Sequence, residues 1–397
     1  MASSHSFRIP EGDFAPRLGF AWTITPKTVV RANSGIYYEA PPTNLWYNAI
    51  YSDGSSSSYT ASISSGTPGA PLFPTAVANN TLPRSSQTVF AITPNFKNGY
   101  AINSSVQVTQ QLGQNDSLTL AYVNTNGRNL EYLRNMNLIN PVRYLADGRP
   151  VYASTISAAT RLDPRFNNIE LQDVGSNSSY NAGTITYQRR FVHGLEAFAS
   201  YTWSHSLSDA PEANSYDQGS LVIEDPTNRN RDRANSSINR PDAFSFSTVW
   251  SPTYKGINNR FLRYLANDNQ LTTMFVASSG DEQNIVANQS LNGDPLAGSG
   301  LNNATRPLFI GRNTVRTGNI YQFDARYTRS FFRLWERLQP SFFAEANNAL
   351  NHPNVTTINT SATVNSATGA IMTAPSFTPV STLLEGRIIQ LGVRADW

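Results

Sequence analysis

Cysteine is missing from all 397 residues, so the chain can form neither disulfide bonds nor thiolate metal sites. Charged residues make up only 14% of the chain, against roughly 25% in an ordinary soluble domain. The formal net charge is +3, which is too small for a typical nucleic-acid-binding surface. The composition therefore predicts no nucleic-acid partner.

Long apolar runs are missing as well. No uninterrupted apolar stretch of about 18 residues occurs, and the mean hydropathy is -0.37. These values exclude a bundle of membrane helices, but they are compatible with membrane β-strands, which are apolar on one face only. Residues 1–7 carry no signal-peptide pattern. Because a secreted barrel needs such a signal, we expect the chain to be part of a longer protein.

Apolar and polar residues alternate in many segments, and aromatic residues reach 11% of the chain. In the last segment, Ile389, Leu391, Val393 and Ala395 alternate with polar or small residues. Period two is typical of a β-strand with one apolar face, and most segments reach the roughly 9–11 residues that a tilted membrane strand needs. Eleven strands are predicted: 14–22, 27–38, 99–112, 117–125, 181–191, 194–206, 242–251, 269–278, 319–331, 337–350 and 386–397.

The connections between these segments alternate between short and long. This alternation is typical of an outer-membrane barrel, which has short periplasmic turns and long extracellular loops. The last strand then runs inward and ends in the periplasm. Because eleven strands cannot close an antiparallel barrel of even strand number, upstream strands are expected. The predicted short connections are 23–26, 113–116, 192–193 and 332–336, with one of medium length at 252–268, and the long ones are 39–98, 126–180, 207–241, 279–318 and 351–385.

Several motifs occur in the same order as in a known family. They are FAPRLGFA (14–21), YTWSHS (201–206), RPDAF (240–244), FAEANNALNHPN (343–354) and RIIQLGVR (387–394). Together they resemble the barrel of Oar-like TonB-dependent receptors, and the resemblance runs nearly from end to end. It implies an all-β fold, namely an incomplete antiparallel transmembrane β-barrel in the bacterial outer membrane.

The resemblance also implies an organisation and a set of partners. Residues 1–397 would be one C-terminal part of the barrel, without the plug and the N-terminal domain. The implied partners are outer-membrane lipid, the plug and upstream strands of the complete receptor, and the barrel-assembly machinery, with TonB acting only through the missing plug. Trp397 would serve as the terminal aromatic assembly signal, where the family usually has Phe. The implied function is uptake of a large or scarce solute.

Nothing in the sequence predicts an enzyme or a cofactor. The four histidines lack metal-site spacing, and no phosphate-binding glycine loop or nucleophile elbow is present. We therefore predict no catalytic, cofactor or metal residues. Segment 207–241 mixes carboxylates with arginines, and because its spacing fits no calcium loop, a salt-bridged loop is the favoured interpretation. Polar wall residues such as Arg326 and Glu345 are expected to hydrogen-bond across the wall or to water.

Ligand contacts are predicted in the long connections. The candidates are Trp46, Tyr47, Tyr51, Tyr59 and Tyr216, although loop aromatics often serve only local packing. Two alternative interpretations stay open. One is a surface adhesion or carbohydrate-binding β protein without transport, and the other is a soluble β-sandwich with its apolar faces buried between two sheets.

Overall fold

The computed structural model describes residues 12–40, 43–54, 87–154, 157–210, 222–296, 305–332, 338–382 and 386–396. Eleven long strands form one sheet in which each strand pairs antiparallel with the next along the chain. Each overlaps one predicted segment, so the predicted all-β architecture is confirmed. These strands, called the wall, are β1 (Arg17–Thr25), β2 (Thr28–Tyr38), β3 (Tyr100–Gln111), β4 (Asp116–Asn135), β5 (Phe166–Val192), β6 (Leu195–Ser208), β7 (Asp242–Trp250), β8 (Asn269–Ser278), β9 (Ile320–Ser330), β10 (Gln339–Asn347) and β11 (Ile388–Asp396).

The connections alternate in length as predicted. The shortest is the two-residue turn between β5 and β6, in which His193 and Gly194 have φ values of 50° and 77°. Two successive positive φ values are typical of the turn that matches the twist of a hairpin. The short connections are 26–27, 112–115, 193–194, 251–268 and 331–338, and the long ones are 39–99, 136–165, 209–241, 279–319 and 348–387.

Strands β4 and β5 are much longer than predicted. They contain 20 and 27 residues, whereas about 9–11 residues suffice to cross a bilayer. The prediction that 126–180 is one loop was therefore wrong at both ends. The pairing is irregular between Gly127 and Glu131, and Asn129 has a φ of 54°. Such a bulge interrupts the alternation along β4, which hides the rest of the strand from a period-two search.

The wall has one apolar and one polar face. A single register row crosses nine strands with aliphatic and aromatic residues only. None of its members is buried, and several are well exposed, with Trp22 at 55%, Leu120 at 50% and Ile185 at 51%. An exposed apolar band of this extent marks a membrane or protein contact. The row consists of Trp22, Val30, Val108, Leu120, Ile185, Tyr201, Phe244, Ala277 and Tyr321.

On the opposite face, polar side chains hydrogen-bond across neighbouring strands. The hydroxyl oxygens of Thr184 and Thr202 lie 3.0 Å apart. Further along the wall, Arg326 Nη1 lies 3.4 Å from Glu345 Oε2. The predicted cross-wall hydrogen bonding is confirmed at these pairs.

The sheet is open. Strands β1 and β11 are its two ends, and each pairs on one side only within the described residues. This arrangement is that of an incomplete barrel. None of the helices in the described ranges is long and apolar enough to span a membrane.

Two helices and several short strands lie in the connections. Helix α1 (Thr43–Tyr51) lies in a long connection, and helix α2 (Arg260–Ala266) lies in a short one. Single 3-10 turns are formed by Ala158–Thr160 and Arg229–Asp232. The short strands are Gln87–Ile92, Arg143–Tyr144, Pro150–Val151, Ala234–Asn235, Glu282–Gln283, Val286–Ala287, Val315–Arg316, Val355–Ile358, Ser361–Val364, Ile371–Thr373 and Pro379–Thr382.

Candidate functional site

The long connections pack against one another at one end of the wall. We call their described residues, together with the ends of β4 and β5 that meet them, the loop layer. The layer has a small apolar core that draws on three connections. Because segments distant in sequence share this core, the layer is a folded unit. The core residues are Leu145 and Val151, Ile285 and Leu291, and Ala362 and Val364.

A buried ion-pair network ties the same connections together at Glu224. Its Oε1 accepts a hydrogen bond of 2.5 Å from Arg149 Nη1 and one of 2.8 Å from the backbone N–H of Arg306. Its Oε2 accepts hydrogen bonds from Arg306 Nη2 at 2.8 Å and from Arg231 Nη2 at 3.1 Å. The side chains of Arg149 and Glu224 are each 1% exposed. Burial on this scale is tolerated because each charge has partners with good geometry.

Two further carboxylates balance the arginines. Asp232 accepts a 2.9 Å hydrogen bond from Arg306 Nη1, and Asp147 pairs with Arg149 and Arg231 at 3.0 and 3.1 Å. Burial opposes the charged form of Arg306, but its two carboxylate partners outweigh burial and raise its pKa. Burial also opposes the charged form of Asp147, yet the adjacent guanidinium groups hold its pKa below the usual value.

The favoured prediction for segment 207–241, a salt-bridged loop, is confirmed by the pair of Glu224 and Arg231. Two closer partners of Glu224, Arg149 and Arg306, come from other connections, and no sequence pattern points to them. Among the described residues, no group of three or more His, Asp or Glu side chains is arranged to hold a metal ion.

A glycine contact brings two connections to backbone distance. A Cβ atom placed on Gly293 would lie 2.4 Å from the carbonyl oxygen of Ala153. Beside this contact, Tyr152 N–H donates to the carbonyl of Asn292 at 2.7 Å. Gly293 also has a φ of 74°, which favours glycine. The approach of the two backbones therefore depends on the missing side chain.

Helix α1 presents two of the predicted ligand-contact residues. Tyr47 and Tyr51 stack with their ring centroids 5.4 Å apart and an interplanar angle of 9°. They are 60% and 50% exposed. Trp46 instead faces inward, where its ring contacts Phe96 edge to face at a centroid distance of 5.4 Å. The structure thus separates one packing residue from an exposed stacked pair.

Three predicted functional residues lie outside the described residues. They are Tyr59, Tyr216 and the terminal Trp397.

Beside helix α1, a cleft of about 850 Å³ lies at the loop ends of β2 and β3. Phe96 lines it and also packs against Trp46, so the cleft and the helix share a support. Its polar lining includes Asp13 and Lys97, which have opposite charges. A cleft of this size and lining suits a polar ligand.

Two carboxyl groups lie on the extended ends of β4 and β5, Glu131 half-buried and Glu170 buried. Burial and the nearby Glu39 raise the pKa of Glu131 to about 7, although a hydrogen bond from Gln172 lowers it. Burial raises the pKa of Glu170 to about 7 as well, against a hydrogen bond from Asn168. Both groups therefore change charge near neutral pH.

Comparison with protein families gives one match that covers most of the chain. The profile of the family described as "Outer membrane beta barrel domain" matches residues 3–311. No curated protein sequence matches the chain significantly.

Solved structures with a similar fold include the outer membrane transporter YddB from Escherichia coli. Its TM-score is 0.52 at 10% identity, and the match covers 96% of this chain and 40% of that one. The ferripyoverdine receptor of the Pseudomonas aeruginosa outer membrane has a TM-score of 0.48 at 10% identity, and the match covers 98% of this chain and 33% of that one. The FrpB iron transporter from Neisseria meningitidis has a TM-score of 0.47 at 10% identity, and the match covers 96% of this chain and 39% of that one. The chain thus spans well under half the length of these proteins.

Proposed function

Because the chain belongs to the family of outer membrane beta barrel domains, we propose that it forms the wall and outer loops of a TonB-dependent receptor that takes up a large or scarce solute. The predicted outer-membrane location is confirmed by this family match. The observation that carries the proposal is the wall itself, an eleven-strand antiparallel sheet with an exposed apolar face and a folded loop layer at one end. The fold likeness to YddB supports it.

In this proposal the loop layer faces the outside of the cell and the short connections face the periplasm, as in other outer-membrane barrels. Residues 1–397 act as one C-terminal part of the barrel. Upstream strands pair with the open edges at β1 and β11, and a plug fills the interior and couples to TonB. The barrel-assembly machinery reads the terminal aromatic residue, Trp397.

The proposed ligand contacts begin at helix α1. Trp46 and Ala49 pack against Phe96 and Ile92, which fixes the helix on the loop layer. The stacked rings of Tyr47 and Tyr51 stay exposed on this rigid support. Rigid tyrosines contribute contact area at a low cost in conformational entropy. The cleft beside Phe96 extends this surface, and Tyr59 and Tyr216 remain further candidates.

The test is uptake by the bacterium that carries the complete receptor. Cells would be given radiolabelled ferric siderophore or radiolabelled maltodextrin, with and without the receptor gene and with and without TonB. We expect uptake of at least one probe to require both genes. The double variant Tyr47→Ala/Tyr51→Ala should reduce binding of that probe at least tenfold, since two aromatic contacts are lost.

Tyr144 provides the matched control, because it lies in another part of the loop layer and is 65% exposed. Tyr144→Ala should bind the probe as the parent does. If surface binding persists while uptake is independent of TonB for both probes, the receptor proposal fails and the adhesion or carbohydrate-binding alternative is favoured.

A further inference from the structure

The connection between β7 and β8 is the longest of the short connections, and it carries helix α2. Its residues 251–268 include three basic residues, Lys255, Arg260 and Arg263, and one acidic residue, Asp268. The helix begins at Asn259, whose side chain accepts the backbone N–H groups of Phe261 and Leu262. It ends at Asn267, which is hydrogen-bonded to the backbone of Tyr254. The connection is therefore a folded element with an excess of positive charge.

Arg329 fixes this helix to the wall. It lies in β9 on the same face as Tyr321, Phe323 and Tyr327, because these residues alternate along the strand. Its guanidinium donates to the carbonyl groups of Tyr264, Leu265 and Asn267 at the end of the helix.

The guanidinium of Arg329 also lies 4.8 Å from the ring centroid of Tyr264. A cation at this position complements the helix C-terminus. Because Arg329 is on the apolar face, helix α2 lies over the apolar face of the wall and not in the interior.

The outer side of the helix is apolar. Phe261, Leu262 and Leu265 are 67%, 54% and 51% exposed. At 100° per residue these three side chains fall within an arc of about 100°. Arg260 and Arg263 lie outside this arc, and both are exposed. The helix thus has separate apolar and basic sides.

Aromatic residues surround the same end of the wall. Trp250, Leu271 and Tyr327 occupy one register row on the apolar face, and Trp250 is 45% exposed. Phe332, in the next short connection, is 65% exposed and contacts Tyr264. Tryptophan and tyrosine collect where hydrocarbon meets the polar headgroups of a membrane. The helix therefore lies at the level of the membrane boundary.

We propose that helix α2 is an interfacial membrane anchor: Phe261, Leu262 and Leu265 insert into the leaflet next to the short connections, while Arg260, Arg263 and Lys255 bind anionic phospholipid headgroups. The apolar arc matches the acyl region, and the excess of three basic residues over one acidic residue in the connection matches negatively charged headgroups. Long basic side chains can reach headgroups while their stems remain in apolar surroundings. The inference rests on the outer-membrane wall and does not require solute uptake.

The absence of cysteine makes the depth of the helix directly measurable. A nitroxide label on Leu262→Cys would be unique in the chain reconstituted in bilayers of phosphatidylcholine and phosphatidylglycerol. We expect greater accessibility to oxygen than to a water-soluble nickel complex, at a depth of roughly 5–10 Å. Labels on Leu120→Cys in the wall and Ala146→Cys in the loop layer give the lipid and water references.

If the label at residue 120 contacted lipid and the label at residue 262 contacted water, the membrane anchor would be contradicted but the membrane wall would still be supported. If both labels contacted water, the membrane anchor and the membrane wall would both be contradicted. Only lipid contact at both positions supports the proposal.

The headgroup preference is tested with a fluorophore on residue 262 and quencher-labelled phosphatidylglycerol or phosphatidylcholine. We expect stronger quenching by phosphatidylglycerol, and the preference should fall about fivefold for each arginine removed in Arg260→Gln and Arg263→Gln. Arg165→Gln, which removes an exposed charge in the loop layer, should leave the preference unchanged. Equal quenching by both lipids in the parent chain would overturn the anionic-lipid part of the proposal.

Discussion

Glu224 and Arg306 form an ion pair with an N–O distance of 2.8 Å, although they are 82 residues apart in the sequence. Their side chains are 1% and 2% exposed. One lies in the connection between β6 and β7, and the other lies in the connection between β8 and β9. This pair therefore holds two long connections in one arrangement, and it makes the loop layer a preformed surface.

Glu224→Gln should loosen the loop layer. The change removes the carboxylate that Arg149 and Arg306 share, so each keeps only one carboxylate partner, Asp147 and Asp232 respectively. One positive charge of the buried network is then uncompensated, which costs about 3–5 kcal/mol. Hydrogen exchange of the backbone amides of Leu145, Ile285 and Val364 should accelerate strongly. As a control, Asp163→Asn breaks the pair with Arg165, whose side chain is 77% exposed. If the amides exchanged at the same rate in both variants, Glu224 would not be the residue that holds the connections together.

Gly293→Ala should separate two connections of the loop layer. Its Cβ would collide with the backbone of Ala153, so the connection must shift. Gly148→Ala is the matched control, because Gly148 also has a positive φ but no heavy atom lies within 4 Å of its Cβ position. Both variants bear the strain of a left-handed alanine, about 1–2 kcal/mol.

The measurement for this pair is limited proteolysis of the folded protein. Only Gly293→Ala should expose the neighbouring segments to cleavage. Identical cleavage patterns for the two alanine variants would contradict the proposed close approach.

The stability of the extended hairpin of β4 and β5 should fall as pH rises. Burial raises the pKa of Glu131 from 4.5 to about 7, so between these values the folded state binds more protons than the unfolded state. The free energy of unfolding then decreases with rising pH across this window and is constant above it. Glu170 behaves in the same way, with a pKa of about 7.

Glu131→Gln should therefore stabilise the protein at about pH 8 and have little effect at about pH 4. Thermal unfolding at the two pH values checks this expectation. Glu196→Gln, which makes the same substitution at an exposed position after the β5–β6 turn, is the control. If Glu131→Gln stabilised the protein equally at both pH values, the raised pKa of Glu131 would not be the cause of the effect.

The sequence predicted the wall because its strands need one residue type on each face. Segments such as 319–331 alternate regularly, and they became strands with nearly the predicted bounds. Prediction failed where β4 and β5 leave the membrane. There a bulge at Asn129 shifts the alternation, and neither face meets lipid, so polar residues occur on both.

The contacts within the loop layer could not be predicted, for a different reason. Segment 207–241 shows its carboxylates and arginines, and the local pair of Glu224 and Arg231 followed from them. The pairing of Glu224 with Arg149 and Arg306 depends on how three connections meet in space. A single sequence carries no periodic signal for such contacts. Among the predicted aromatics, Trp46 and Tyr47 differ only in the side of helix α1 that they occupy, and this side became clear only from the packing.

The wall is tested most directly by scanning β4 with a spin label at each position from Leu118 to Val123, one cysteine at a time, in reconstituted bilayers. Labels at Leu118, Leu120 and Tyr122 should contact lipid and be accessible to oxygen. Labels at Thr119, Ala121 and Val123 should face the interior and be accessible to a water-soluble nickel complex. Strict alternation with period two is the expected result. Uniform accessibility along the segment, or a period near 3.6, would contradict a transmembrane β-wall.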